Sequence, residues 1–130
     1  MPISYTKVIA YLDAVADKGL LDVANSPHGR FWTGMTHDQF VKGVVPNVLC
    51  KGQPIPIIDQ SDLAHDSAAN SSFLVALINT TGFCKKKQMP KTGPFITDAG
   101  YTVTLSDGSV VSGSTIESDI LDWLKSGFPA

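Results

Sequence analysis

Three histidines and two cysteines are the residues of this chain with the clearest capacity for chemistry. His37 precedes Asp38, and His65 lies in the run Asp62-Leu63-Ala64-His65-Asp66. Imidazole beside carboxylate is metal-ligating chemistry. A closed zinc site, however, wants four ligands in tetrahedral array, and no i, i+4 pair or C-x-x-C supplies a nucleus. Loop and helix-cap roles in solvent are the expectation for both histidines. Cys50 and Cys84 are 34 positions apart, and two readings stand for them. They are separate reduced thiols, or they form one disulfide that would stabilise the fold by about 3 to 4 kcal/mol. Neither has a second ligand at short spacing, so no metal is expected on them. Nucleophilic catalysis lacks a signature: there is no G-x-S-x-G, no Gly-rich phosphate loop and no Cys–His motif. Asp13, Asp17 and Asp22 read as ordinary exposed carboxylates along or just after a helix. No constellation supports an enzyme.

These residues sit in 130 positions, 43% hydrophobic and 17% charged, the size and composition of one globular domain spanning residues 1–130. Ten basic against twelve acidic side chains give −2, which argues against nucleic acid as a partner. No run of 18 apolar residues is long enough to span a membrane. The first residues lack the apolar core of a signal peptide, so the expected compartment is the cytoplasm, or the periplasm or exterior if a leader has been removed. Eleven glycines and eight prolines favour short helices between long shaped loops.

Ser4 caps a first helix in which Val8, Leu12 and Val15 recur at helical spacing, and Gly19 ends it. Thr36 and Gln39 fit a capping box for a short helix over His37 to Lys42, with Phe40 and Val41 inward. Val44 to Ala69, with Pro46, Pro54 and Pro56, reads as a stiff extended loop. Asn70 or Ser71 caps a helix holding Phe73, Leu74, Leu77 and Ile78, with Gly82 as its stop. Lys85-Lys86-Lys87 reads as a solvated loop tip. From Tyr101 the period changes to two, and Asp107-Gly108 marks the turn of a β-hairpin. A capping box at Ser114 and Glu117 then opens a last helix that buries Ile116, Ile120, Leu121 and Leu124, has Trp123 on its flank and stops at Gly127.

Gln88 to Thr97, Gln-Met-Pro-Lys-Thr-Gly-Pro-Phe-Ile-Thr, resembles the MP-x-G-G-P-x-L-S segment of bacterial class I cytochrome c domains. Ile116 to Pro129 resembles their closing helix, I-x-x-I-x-x-W-I-x-x-G-A-P, and is the most specific of the similarities. Asp66 to Leu77 is similar to G-D-P-x-x-S-x-L-x-x-x-L, with Ser71 or Ser72 at the serine. The three keep their order and cover about half the chain. Where that family carries C-x-x-C-H, this chain has Ala24-Asn25-Ser26-Pro27-His28. Without the two thiols no thioether bonds can form there, and Cys50 and Cys84 do not restore the spacing. The segment Gly100 to Ser114 is an insertion relative to the family.

The resemblance implies a mainly α, cytochrome c-like three-to-four-helix fold with long loops and a small inserted β-hairpin near residues 101–112. It also implies a first and a last helix that cross at Leu12, Val15, Ile120 and Leu124. Phe31, Trp32, Phe40, Phe73, Phe83 and Phe95 would fill the space that a lost haem leaves. The expected function is that of a haem-free, non-catalytic module in protein binding or complex assembly, without a cofactor. Arg30, Trp32, Tyr101 and Val103 are its candidate binding surface. The alternative is an electron-transfer protein holding haem non-covalently, with His28 and Met89 as the axial pair that the resemblance implies. In the first case Met89 fills a gap in the core and His28 bonds a nearby carbonyl or helix end.

Overall fold

The architecture was obtained as a computed structural model that describes residues 2–19, 29–90 and 93–130. Helix α1 spans Tyr5–Lys18. The Ser4 hydroxyl accepts from the Lys7 N–H at 3.2 Å, and Val8, Tyr11, Leu12, Val15 and Ala16 are buried. Gly19 ends the helix in right-handed geometry (φ −77°). Glycine is needed there for close approach, because a Cβ would stand 2.4 Å from the Pro90 ring. Helix α2, His37–Lys42, opens on the expected capping box: Gln39 N–H donates to Thr36 Oγ1 at 3.1 Å, and Thr36 N–H to Gln39 Oε1 at 2.9 Å. It buries Phe40 completely.

The stretch expected as loop contains strands β1 (Val44–Cys50) and β2 (Gln53–Pro56), paired antiparallel with Cys50 opposite Gln53 and Leu49 opposite Pro54. Lys51 and Gly52 form the connection, both with positive φ (51° and 79°), as a two-residue hairpin turn of matching twist requires. The ladder is irregular between Val44 and Leu49. That irregularity and an edge location accommodate prolines that a central strand would reject. Two 3₁₀ turns follow, Leu63–His65 and Ser67–Asn70, and then helix α3, Ser72–Ile78. Ser71 precedes α3, but its hydroxyl does not cap the helix. It accepts from Asp59 N–H at 2.9 Å and donates to Ala68 O at 2.6 Å, while Ser72 Oγ donates to Pro56 O at 2.8 Å. These buried hydroxyls satisfy loop backbone that would otherwise be stranded.

Strands β3 (Thr102–Thr104) and β4 (Val110–Ser112) form the expected hairpin, with Val103 opposite Val111. Helix α4, Gly113–Lys125, starts earlier than its sequence pattern suggests: the Ser112 hydroxyl, not that of Ser114, caps it by accepting from Thr115 N–H at 3.2 Å. Gly113 N–H donates to Tyr101 O, and a Cβ on Gly113 would meet Ile96 O at 1.9 Å. Only glycine lets β4 turn into the helix at that point.

The described residues therefore form four short α-helices and two separate two-stranded antiparallel sheets, a small mixed α/β domain. The mainly α, cytochrome c-like three-to-four-helix fold is overturned by this count, and by the β1–β2 hairpin that replaces one of its loops. A valine-rich stretch ending in Leu49-Cys50-Lys51-Gly52 has β-branched residues and a turn dipeptide, and these outweigh its prolines. Leu12, Val15, Ile120 and Leu124 all enter one core. The side-chain links between α1 and α4 are made by other residues. Tyr11 OH donates to Asp119 Oδ2 at 2.5 Å, and the rings of Tyr5 and Trp123 lie 6.4 Å apart. Trp123 is fully buried and not on the flank. Leu124 is 2% exposed. Leu124→Ala is expected to cost about 2 to 4 kcal/mol in urea unfolding, and an unchanged midpoint would refute this placement.

Candidate functional site

Two groups of residues carry the candidate site: those singled out by the sequence, and a surface formed only in three dimensions. His28 lies outside the described residues. Met89 is half-buried against the core, with its N–H donating to Ala76 O at 2.8 Å, and Gln88 beside it is held by Leu77 O and Thr97 Oγ1. Its surroundings are those of a core gap-filler. One groove, about 220 Å³, lies between the 3₁₀ turns and the end of α4, lined by Leu63, Ala68, Leu124 and Phe128 among others. It is smaller than the ~300–1,000 Å³ of a typical ligand cleft.

The four candidate binding-surface residues are committed to internal contacts. Arg30 pairs with Asp17 and lies 3.9 Å from Asp13. Trp32 is 6% exposed, and its Nε1–H donates to Asp13 Oδ1 at 2.7 Å. Asp13 and Asp17 thus hold the Arg30–Trp32 segment against α1 and do not stand free. Tyr101 and Val103 are both buried, because period-two alternation turns them inward under the β3–β4 hairpin. A docking face needs exposed groups, and Trp32, Tyr101 and Val103 do not supply it. Lys18 Nζ lies 4.7 Å from the Tyr101 ring centroid and donates to Thr102 O.

Among the described residues the Tyr101 hydroxyl has no hydrogen-bond partner. Burial first, and then the charge of Asp98, push its phenol up to about 12. A raised folded value means that this stabilising contribution is whole below the unfolded value of ~10. It drains away as pH rises from there towards about 12. Tyr11 moves in the same direction through burial and its bond to Asp119. Tyr101→Phe deletes this buried hydroxyl, which bonds none of the described residues. The variant is expected to be neutral, or up to ~1 kcal/mol more stable, at pH 7. Its stability should also fall less steeply than wild type in urea titrations above pH ~10. A loss of more than ~1 kcal/mol at pH 7 would mean the hydroxyl is bonded.

His37 Nε2 lies 2.7 Å from Phe128 O, with its ring edge-on to Tyr5, so it ties the C-terminal segment to α2. His65 contacts Asp62 within the first 3₁₀ turn and is exposed. Among the described residues no three His, Cys, Asp or Glu converge as a metal site, and no helix is long and apolar enough to cross a membrane.

The two cysteines meet. Cys50 and Cys84 form a disulfide, with Cα atoms 6.0 Å apart. The bond ties the β1–β2 hairpin to the loop carrying Lys85-Lys86-Lys87. That loop is tightly folded: Gly82 has φ +68°, and a Cβ on it would stand 2.3 Å from Lys87 O. Val44 (47%), Leu49 (54%) and Val110 (67%) are large apolar side chains left in solvent on the two hairpins. In the sequence the disulfide stood as one of two readings and Lys85-Lys86-Lys87 as a solvated tip, but nothing there placed Lys51 beside that run.

No known protein family, curated protein or solved structure matches the chain.

Proposed function

We propose that this protein is a haem-free, non-catalytic module that binds a partner protein. The observation that carries this reading is the contrast between an aromatic-filled interior and the exposed Val44 and Leu49 on the disulfide-tied hairpin. Apolar side chains left out of a well-packed core are available for a second surface. The disulfide supports a periplasmic or secreted location, since such bonds persist in oxidising compartments.

Two measurements test the reading. Hemin titration should leave the Soret region without a protein-dependent band. A band that Met89→Ala abolishes would overturn the haem-free state. Tagged protein expressed in its native host should retain a defined partner that Leu49→Asp loses, with the fold unchanged by circular dichroism. Identical capture by both forms, or none by either, would count against protein binding through this hairpin.

A further inference from the structure

The disulfide does more than tie two segments together. Lys51 follows Cys50, and Lys85, Lys86 and Lys87 follow Cys84. With the bridged Cα atoms 6.0 Å apart and consecutive Cα atoms ~3.8 Å apart, the Cα atoms of Lys51 and Lys85 lie within about 14 Å of each other. All four lysines are exposed, and none is in an ion pair among the described residues. In a chain of net charge −2 the disulfide thus brings Lys51 close to a run of three further positive charges. The backbone holds them there in an unusual way. Of the seven non-glycine residues with positive φ among the described residues, four are Lys51, Cys84, Lys85 and Lys87. At Lys51 the hairpin turn sets this conformation, and at Cys84, Lys85 and Lys87 the tight loop around the disulfide holds it. Leu49, two residues before Lys51 and near the end of β1, is exposed, as is its cross-strand partner Pro54.

We propose that the two tips joined by Cys50–Cys84 form one basic docking face for an acidic, Asp/Glu-rich segment of a partner protein. The inference rests on the protein-binding reading and gives that partner its chemistry. An apolar pair, Leu49 and Pro54, beside a rim of lysines matches the layout of protein interfaces, with an apolar centre and a polar edge that steers the encounter. A lipid surface fits less well. The exposed apolar side chains that the face offers are Leu49 and Pro54, a small area compared with the acyl chain or second anchor that stable membrane attachment takes in addition to charge.

The probe is a fluorescein-labelled glutamate-rich peptide with one central leucine, followed by anisotropy. Binding should be saturable and should weaken as salt rises. The variant K51Q/K85Q/K86Q/K87Q should lose about tenfold or more in affinity, one order of magnitude being a readily resolved change, with an unchanged circular dichroism spectrum. The decisive comparison is K51Q alone. In the disulfide-bonded protein it should weaken binding about as much as K86Q. In C50S/C84S, or after reduction, it should have no effect, provided the protein is still folded by circular dichroism. A K51Q protein that binds like wild type would show that the lysine run acts alone and would overturn the joined face. Binding to phosphatidylglycerol vesicles without binding to the peptide would overturn it in favour of a lipid surface. If the peptide fails to bind while the Leu49-dependent host partner is still captured, the acidic-partner inference falls and the protein-binding reading stands.

Discussion

Trp123→Ala is expected to lower stability by about 3 to 5 kcal/mol, the range for removing a large aromatic side chain from a core. The indole is fully buried and is shared by several elements. Its ring lies 6.4 Å from Tyr5 of α1, 6.3 Å from Phe40 of α2 and 6.1 Å from Phe128 in the C-terminal segment. Phe40 passes the contact on to Phe73 of α3 at 5.2 Å. Nε1–H donates to Pro129 O at 2.7 Å, so the residue also fastens the chain end. Truncation opens a cavity among rings that belong to α1, α2 and the C-terminal segment, and these cannot all collapse into it. Trp123→Phe should recover most of the packing while losing the bond to Pro129, for a cost nearer 1 to 2 kcal/mol. Urea unfolding of the three proteins checks the order. A Trp123→Ala loss below about 1 kcal/mol would place the indole outside the core.

Replacing both bridged cysteines by serine is expected to cost about 3 to 4 kcal/mol. The chain-entropy argument depends on the loop closed, and a separation of 34 positions falls between the ~15-residue and ~100-residue cases, worth about 3 and 4.7 kcal/mol. The tie has further weight here because the β1–β2 hairpin is a two-stranded sheet with an irregular ladder and three prolines, a unit that is marginal on its own. Urea unfolding of wild type and C50S/C84S under non-reducing conditions gives the difference. A thiol titration of denatured protein should find no free sulfhydryl in wild type, and two reactive thiols there would refute the bond.

Where secondary structure is specified by near neighbours, it was legible in the sequence. Helix α1 followed from the spacing of Val8, Leu12 and Val15, and α2 from the reciprocal Thr36/Gln39 bonds. The β3–β4 hairpin followed from alternation about Asp107-Gly108. The β1–β2 hairpin was not legible. Pro46, Pro54 and Pro56 are equally compatible with an extended loop and with an exposed, irregular edge pair, and only pairing partners distinguish the two. The start of α4 was missed because Ser114 with Glu117 fits the capping box, whereas Ser112, with Thr115 three residues on, does not. The choice lies with Ile96 O, whose approach needs glycine at position 113.

The candidate site divides in the same way. Residue type marked Trp32, Tyr101 and Val103 as able to bind, but aromatic and branched side chains serve a core and a surface alike, and tertiary packing turned these three inward. Lys85-Lys86-Lys87 stood out in the sequence as a solvated tip. Lys51 joined it only through the disulfide. By itself, then, the sequence determined the four helices and the second hairpin, because each rests on contacts within a few residues. The tertiary structure decided whether Cys50 and Cys84 meet, which aromatics are buried and where four lysines gather. Those outcomes depend on contacts between residues tens of positions apart, whose geometry is set by the packing of everything between them.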